Sequence, residues 1–179
     1  MKKLCISFLV CVIIVLSAIG VSLPRQSANT EYLRIHVRAD SNEEQAQLVK
    51  YKVKDAVVEY LTPIIAQLDT KEKAERRLKE ELIQIEKVAD GVLKNNGFDY
   101  TCNAYLNEER FPTRVYGDLT LEEGYYDALI LELGKGQGDN WWCVVYPPLC
   151  FTGEGAGYKY QSKIYQIIKD FIQRKEEGK

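Results

Sequence analysis

Leu33, Ile35 and Val37 alternate with Arg34, His36 and Arg38, the two-residue period of a strand with one face in the core. Asp40-Ser41-Asn42 then offers side-chain oxygens to cap a helix, and Glu43-Glu44 favour its first turn. From there the apolar positions move to three-to-four spacing. Ala46, Val49, Val53, Ala56, Val57 and Tyr60 form one stripe, which predicts a helix to about Leu61 that Pro63 helps to stop. Thr70 is the expected cap of a second helix, with Ala74, Leu78, Leu82, Ile85, Val88 and Val92 on one side. Gly97 suits the left-handed position just past its end.

After Phe98 the period returns to two. Tyr100, Cys102, Ala104 and Leu106 alternate with polar neighbours, and Phe111 to Tyr116 is a further extended piece with Pro112 near its start. The surest strands are Tyr125 to Leu133 and Trp141 to Tyr146, joined by Gly134 to Asn140 as a flexible hairpin loop. In the last strand Trp141, Cys143 and Val145 point one way and Trp142, Val144 and Tyr146 the other. Both sets are apolar, so an interior strand is expected. Ile164, Ile167, Ile168, Phe171 and Ile172 mark a closing helix over about Ser162 to Arg174. The order predicts an α+β fold, a largely antiparallel sheet covered by two or three helices, preceded by an N-terminal signal or anchor helix. Residues 31–176 are expected to form one exported domain.

That leader is residues 1–21, followed by a polar tether over 22–30. Lys2 and Lys3 precede a run from Leu4 to Val21 without a charge. As a helix the run measures about 27 Å, near the roughly 30 Å of a hydrocarbon core. Small Ala18 and Gly20 suit a cut before Val21, so the leader is either a signal peptide or an uncleaved anchor. Membrane contact is expected only through residues 4–21. Losing Lys2 and Lys3 makes the formal net charge of −2 more negative still, which argues against nucleic acid or an anionic membrane surface as partner. Cys102, Cys143 and Cys150 lie beyond the leader. Cys143 and Cys150 are the preferred disulfide pair because the Pro147-Pro148 turn between them can fold the chain back, and so short a loop would contribute about 2.5 kcal/mol. Two buried thiols are the alternative.

No arrangement of residues makes a convincing catalytic centre. Gly134-Lys135-Gly136-Gln137-Gly138 lacks the spacing and the following Ser or Thr of a phosphate loop. His36 is the only histidine, too little for a metal site. Nothing aims it at a thiol, and Arg34 and Arg38 disfavour its charged form. It reads either as a hydrogen-bonding surface histidine or as part of a binding face with Arg34, Arg38, Asp40 and Ser41. Trp141 and Trp142 point to opposite faces, so they cannot form one flat sugar platform, and at least one belongs in the core. The pairs Glu108-Glu109 and Glu122-Glu123 read as solvated surface. No enzyme activity, cofactor or metal is expected.

Three blocks carry a resemblance. The first is Leu33-Arg34-Ile35-His36-Val37-Arg38-Ala39-Asp40-Ser41, continuing through Gln45 to Lys52-Val53-Lys54-Asp55-Ala56-Val57. The second is Phe111-Pro112-Thr113-Arg114-Val115-Tyr116-Gly117 with Gly124-Tyr125-Tyr126-Asp127-Ala128-Leu129 after it. The third, and most specific, is Gly134 to Phe151, with Trp141-Trp142-Cys143 and Pro147-Pro148-Leu149-Cys150. Together they resemble the stage II sporulation protein R family. The resemblance implies a signalling protein exported from the forespore into the intermembrane space. There it would act on the extracytoplasmic part of a membrane-embedded aspartic protease that removes the pro-sequence of sigma-E. The expected contact residues are Arg34, His36, Asp40 and Ser41, with Lys135 and Asn140 of the 134–140 loop as second choice. Trp141, Trp142, Pro147 and Pro148 are expected to be structural. An exported wall-binding module and a thiol-dependent enzyme are the competing functions.

Overall fold

Strand β1 (Leu33–Arg38) lies at the centre of the molecule rather than on its surface. A computed structural model describes residues 31–117, 119–151 and 158–177; the expected leader and tether lie outside them. After β1 come helices α1 (Glu44–Ile65) and α2 (Lys71–Asn95). Strand β2 (Cys102–Phe111) follows, then the short pair β3 (Arg114–Tyr116) and β4 (Leu119–Leu121). Strands β5 (Gly124–Leu133) and β6 (Asn140–Tyr146), a 3-10 turn (Leu149–Phe151) and helix α3 (Tyr158–Glu177) complete the chain.

The main sheet has the order β2-β5-β1-β6, while β3 and β4 pair only with each other. β1 runs parallel to β5 and antiparallel to β6, and β2 is antiparallel to β5 over its whole length. The α+β class and the largely antiparallel sheet therefore hold. Two strand assignments exchange places. β6, expected inside the sheet, is an edge strand, and β1, expected half-buried, is interior. Apolar residues on both faces of β6 report that both faces are covered, which says nothing about neighbours along the hydrogen-bonding direction.

One face of the sheet packs Leu33, Ile35, Val37, Leu129, Leu131, Cys143 and Val145 against the buried stripes of α1 and α2. The other face carries Tyr32, Phe111, Tyr126, Ala128, Ile130 and Val144, with Leu121 of the β3–β4 pair packed on it. Phe171 of α3 touches both cores, stacking on Tyr32 and Tyr146 at 5.4 and 6.2 Å between ring centres. Tyr146 joins the helix-side core despite its even position, because the register shifts between Leu33 and Arg34. Such a bulge resets which face a side chain occupies.

Helix α1 runs two residues past Pro63, to Ile65. So close to the C-terminus the missing N–H costs one bond, and Thr62 Oγ1 donates to the Val58 carbonyl at 2.7 Å. Thr70 caps α2 as expected, accepting from the Lys73 N–H at 3.3 Å, and Gly97 takes φ +81° beyond its end.

Candidate functional site

The 134–140 segment is not a hairpin. β1 sits between β5 and β6, so the segment must cross over the end of β1 and the turn that leaves it. It is fastened there. Asp40 Oδ1 accepts the Lys135 N–H at 2.8 Å, and Asn42 Oδ1 accepts the Asp139 N–H at 2.6 Å. The Gly138 and Gln137 N–H groups donate to the Ala39 and Asp40 carbonyls at 2.8 and 3.2 Å. From α1, Lys50 Nζ donates to the Asp139 carbonyl at 3.0 Å. The oxygens expected to cap α1 are thus spent on the crossing segment. Glu43 is the N-cap and has no side-chain capping bond; its N–H meets Ser41 Oγ only at 3.5 Å.

Close approach explains two of the glycines. A Cβ on Gly138 would lie 2.2 Å from the Ser41 carbonyl oxygen. Gly134, at φ +58°, would bring one to 2.3 Å from Asp40 Oδ1. Asp40, Ser41, Lys135 and Asn140, placed on two separate candidate surfaces by sequence, therefore stand side by side. Lys135 and Asn140 are exposed, and Asp40 and Ser41 partly so.

Arg34 and His36 are not on that surface. They lie on the sheet face away from α1 and α2, only 0% and 5% exposed. The expected polar face is covered because the β3–β4 pair and a layer of aromatic rings close over it. The Arg34 guanidinium lies 4.1 Å from the Phe111 ring centre and 4.9 Å from that of Tyr126. Its Nη2 donates to Tyr116 Oη at 2.7 Å. Among the described residues its Nε and Nη1 have no hydrogen-bond partner and no carboxylate pairs with it. Ring contacts return about 0.5–2 kcal/mol each. An unpaired buried cation costs several kcal/mol, so this arginine is not there for stability alone.

His36 Nδ1 lies 2.7 Å from Glu109 Oε2, and Arg38 pairs with both Glu109 and Glu132. Burial pushes the His36 pKa down to about 4; the Arg38 and Arg34 cations push the same way, while Asn140 and Glu132 oppose. The Glu109 contact opposes it too, but that carboxylate's charge is already engaged by Arg38. The ring is therefore neutral at pH 7 and donates from Nδ1 to Glu109. Sequence reasoning missed Glu109. In the strand β2 alternation it shares a parity with Phe111, and that parity was the available signal.

Trp141 and Trp142 are half-buried on opposite faces, each with a cation near its ring: Lys54 at 5.5 Å and Arg114 at 4.4 Å. Pro147 and Pro148 are buried. Cys102, Cys143 and Cys150 are free thiols. Cys143 and Cys150 are in hydrogen-bonding contact, and Cys150 Sγ lies 2.8 Å from the Val144 carbonyl. Burial pushes the Cys150 thiol well up. His36 pairs in register with Trp142, so Cys143 faces the helices while the imidazole faces the other way. The sheet separates them, and they form no thiolate–imidazole pair.

A cleft of about 640 Å³ opens between α3, the β3–β4 pair and the turn after β6. Tyr32 and Tyr116 line it together with apolar residues of all three elements, and Lys175 and Glu176 are the charged side chains in its lining. Among the described residues no helix is long and apolar enough to cross a membrane, and no cluster of metal-ligating side chains occurs.

Comparison with known proteins supplies the class, a sporulation protein. The family model described as stage II sporulation protein R matches residues 29–155, from just before β1 to just beyond the 3-10 turn. The stage II sporulation protein R of Bacillus subtilis (strain 168) is 33% identical over 156 residues, 82% of this chain and 70% of that protein. This chain belongs to the stage II sporulation protein R family. No solved structure matches it.

Proposed function

We propose that this chain is an exported sporulation signal that activates a membrane-embedded aspartic protease and so leads to pro-sigma-E processing. Family membership over residues 29–155 carries the reading. The uncharged run Leu4 to Val21 behind Lys2-Lys3 supports export from the forespore into the intermembrane space. A message carried by a folded surface is supported by the lone histidine and the Cys143 thiol lying on opposite faces of the sheet.

The surface that fits a partner is the clasp of Asp40 and Ser41 with Lys135 and Asn140, exposed yet held by backbone bonds. Arg34 and His36 act from beneath by packing β1. Activation requires that the clasp bind the active protease more tightly than the inactive one; moving a 1:99 population to 99:1 takes about 5.5 kcal/mol of differential affinity. The test is gene deletion in sporulating cells, with the protease present at normal level. Pro-sigma-E should stay uncleaved. Processing at the ordinary rate in the deletion strain rejects the proposal.

A further inference from the structure

The 640 Å³ cleft has a polar floor with an unusual wiring. Tyr116 Oη accepts from Arg34 Nη2 at 2.7 Å, and Tyr32 Oη accepts from Lys175 Nζ at 3.0 Å. A phenol oxygen that accepts from a cation still has its own proton to donate. That of Tyr116 meets only the Trp142 carbonyl, at 3.4 Å, and Tyr32 has no acceptor among the described residues. Burial pushes the Tyr116 pKa up to about 12, so it stays a neutral donor. Tyr32 is only 1% exposed, so the donor offered to the cleft is the half-buried Tyr116, and a phenol donor backed by a cation suits an anion. Behind Tyr116 stands Arg34, wholly buried and with two unpartnered nitrogens.

We infer that this cleft is a docking site for an apolar segment of a protein partner that carries an Asp or Glu, with the carboxylate received by Tyr116. Leu119, Leu149, Ile168, Phe171 and Ile172 supply the apolar walls. Lys175 pairs with Glu31 at 3.7 Å, so the cation left to favour an acid is Arg34, behind Tyr116. Lys175 and Glu176 also match the N–H and C=O groups of a peptide, where a bare hydrocarbon chain would leave them unanswered. The chain's own first 30 residues contain no Asp or Glu, so they do not supply the carboxylate. α3 lies beyond the family match at residues 29–155. The inference rests on the signalling reading only in naming that partner's chemistry; the cleft's binding is measured without it.

The experiment is selection of a random dodecapeptide display library on the purified domain, followed by anisotropy with synthetic peptides. Selected peptides should carry an acid among apolar residues. Changing that Glu to Gln should weaken binding about tenfold, as should Tyr116→Phe. Ile172→Glu, at a half-exposed position where folding is not at stake, should abolish it. Circular dichroism checks that each variant folds. No enriched peptide, enrichment without an acid, or equal binding of the Glu and Gln forms overturns the inference. Decanoate binding with no acidic peptide selected assigns the cleft to a fatty acid and overturns it as well. The outcome is independent of the gene-deletion result, so either idea can fail alone.

Discussion

Asp40 Oδ1 accepts the backbone N–H of Lys135 at 2.8 Å, across 95 positions of sequence. This bond ties the turn that leaves the central strand to the segment that must cross above it. The two halves of the proposed contact surface are one unit because of it.

Removing the carboxylate should loosen that unit. Asp40→Ala is expected to cost roughly 1.5–3 kcal/mol, the usual worth of a hydrogen bond to a charged group. Asp40→Asn keeps an acceptor and should cost less. Chemical denaturation gives the energies, and amide exchange at Lys135 should speed up in the alanine variant alone. Unchanged protection at Lys135 would mean the loop is held elsewhere.

Gly138→Ala addresses the same contact from the other side. Its Cβ would meet backbone, the Ser41 carbonyl oxygen at 2.2 Å, so turn and loop must separate. A loss of about 1–3 kcal/mol is expected, with faster exchange at Gln137 and position 138 together. A variant as stable as the parent contradicts the close approach.

His36 makes stability depend on pH. Its pKa falls to about 4 in the folded chain from the ordinary 6.5 of a histidine. The unfolded chain then binds the extra proton first, so stability is intact above pH 6.5 and declines as pH falls toward 4, by about 3 kcal/mol in total. Urea unfolding between pH 7 and 5, before most carboxylates titrate, should show this slope, and His36→Gln should flatten it. A slope identical in both proteins would remove His36 as its source.

Arg34 should be dispensable for folding. Replacing a buried unpaired cation by a hydrophobe of similar length leaves stability unchanged or raises it, by up to roughly 4 kcal/mol. Arg34→Met is the variant to measure by thermal and urea unfolding. A loss above about 2 kcal/mol would show that the ring contacts and the Tyr116 bond outweigh the cost of burying the charge.

The contact between Cys143 and Cys150 favours a disulfide in an oxidising compartment. Exchange with oxidised glutathione would form the S–S bond while the glutathione disulfide is reduced to two thiols. Domain exported from cells, denatured and treated with iodoacetamide, should then take one label, at Cys102, and three after reduction. Three labels without reduction means the pair remains as thiols.

The two-residue and three-to-four-residue periods were enough to place β1, α1, α2, β5 and β6 within a few residues, since burial of one face or stripe imposes those periods wherever they occur. Family membership was legible in the 134–151 block for a related reason, as costly residues crowded into a fixed order. Two assignments inverted. β1 looked half-exposed because Arg34 and His36 are polar, yet rings and the β3–β4 pair cover them. β6 looked interior because both its faces are apolar, yet it closes an edge.

What this chain determined by its sequence alone is which elements form and which side of each is apolar, because those depend on neighbours a few bonds away. Strand order belongs to the tertiary structure. By inserting β1 between β5 and β6 it turned an expected hairpin into a crossing. That crossing brought Asp40 to Lys135, while chain packing set Arg34 behind Tyr116. Such pairings join residues 80 to 100 positions apart, and no local period encodes a distance of that kind.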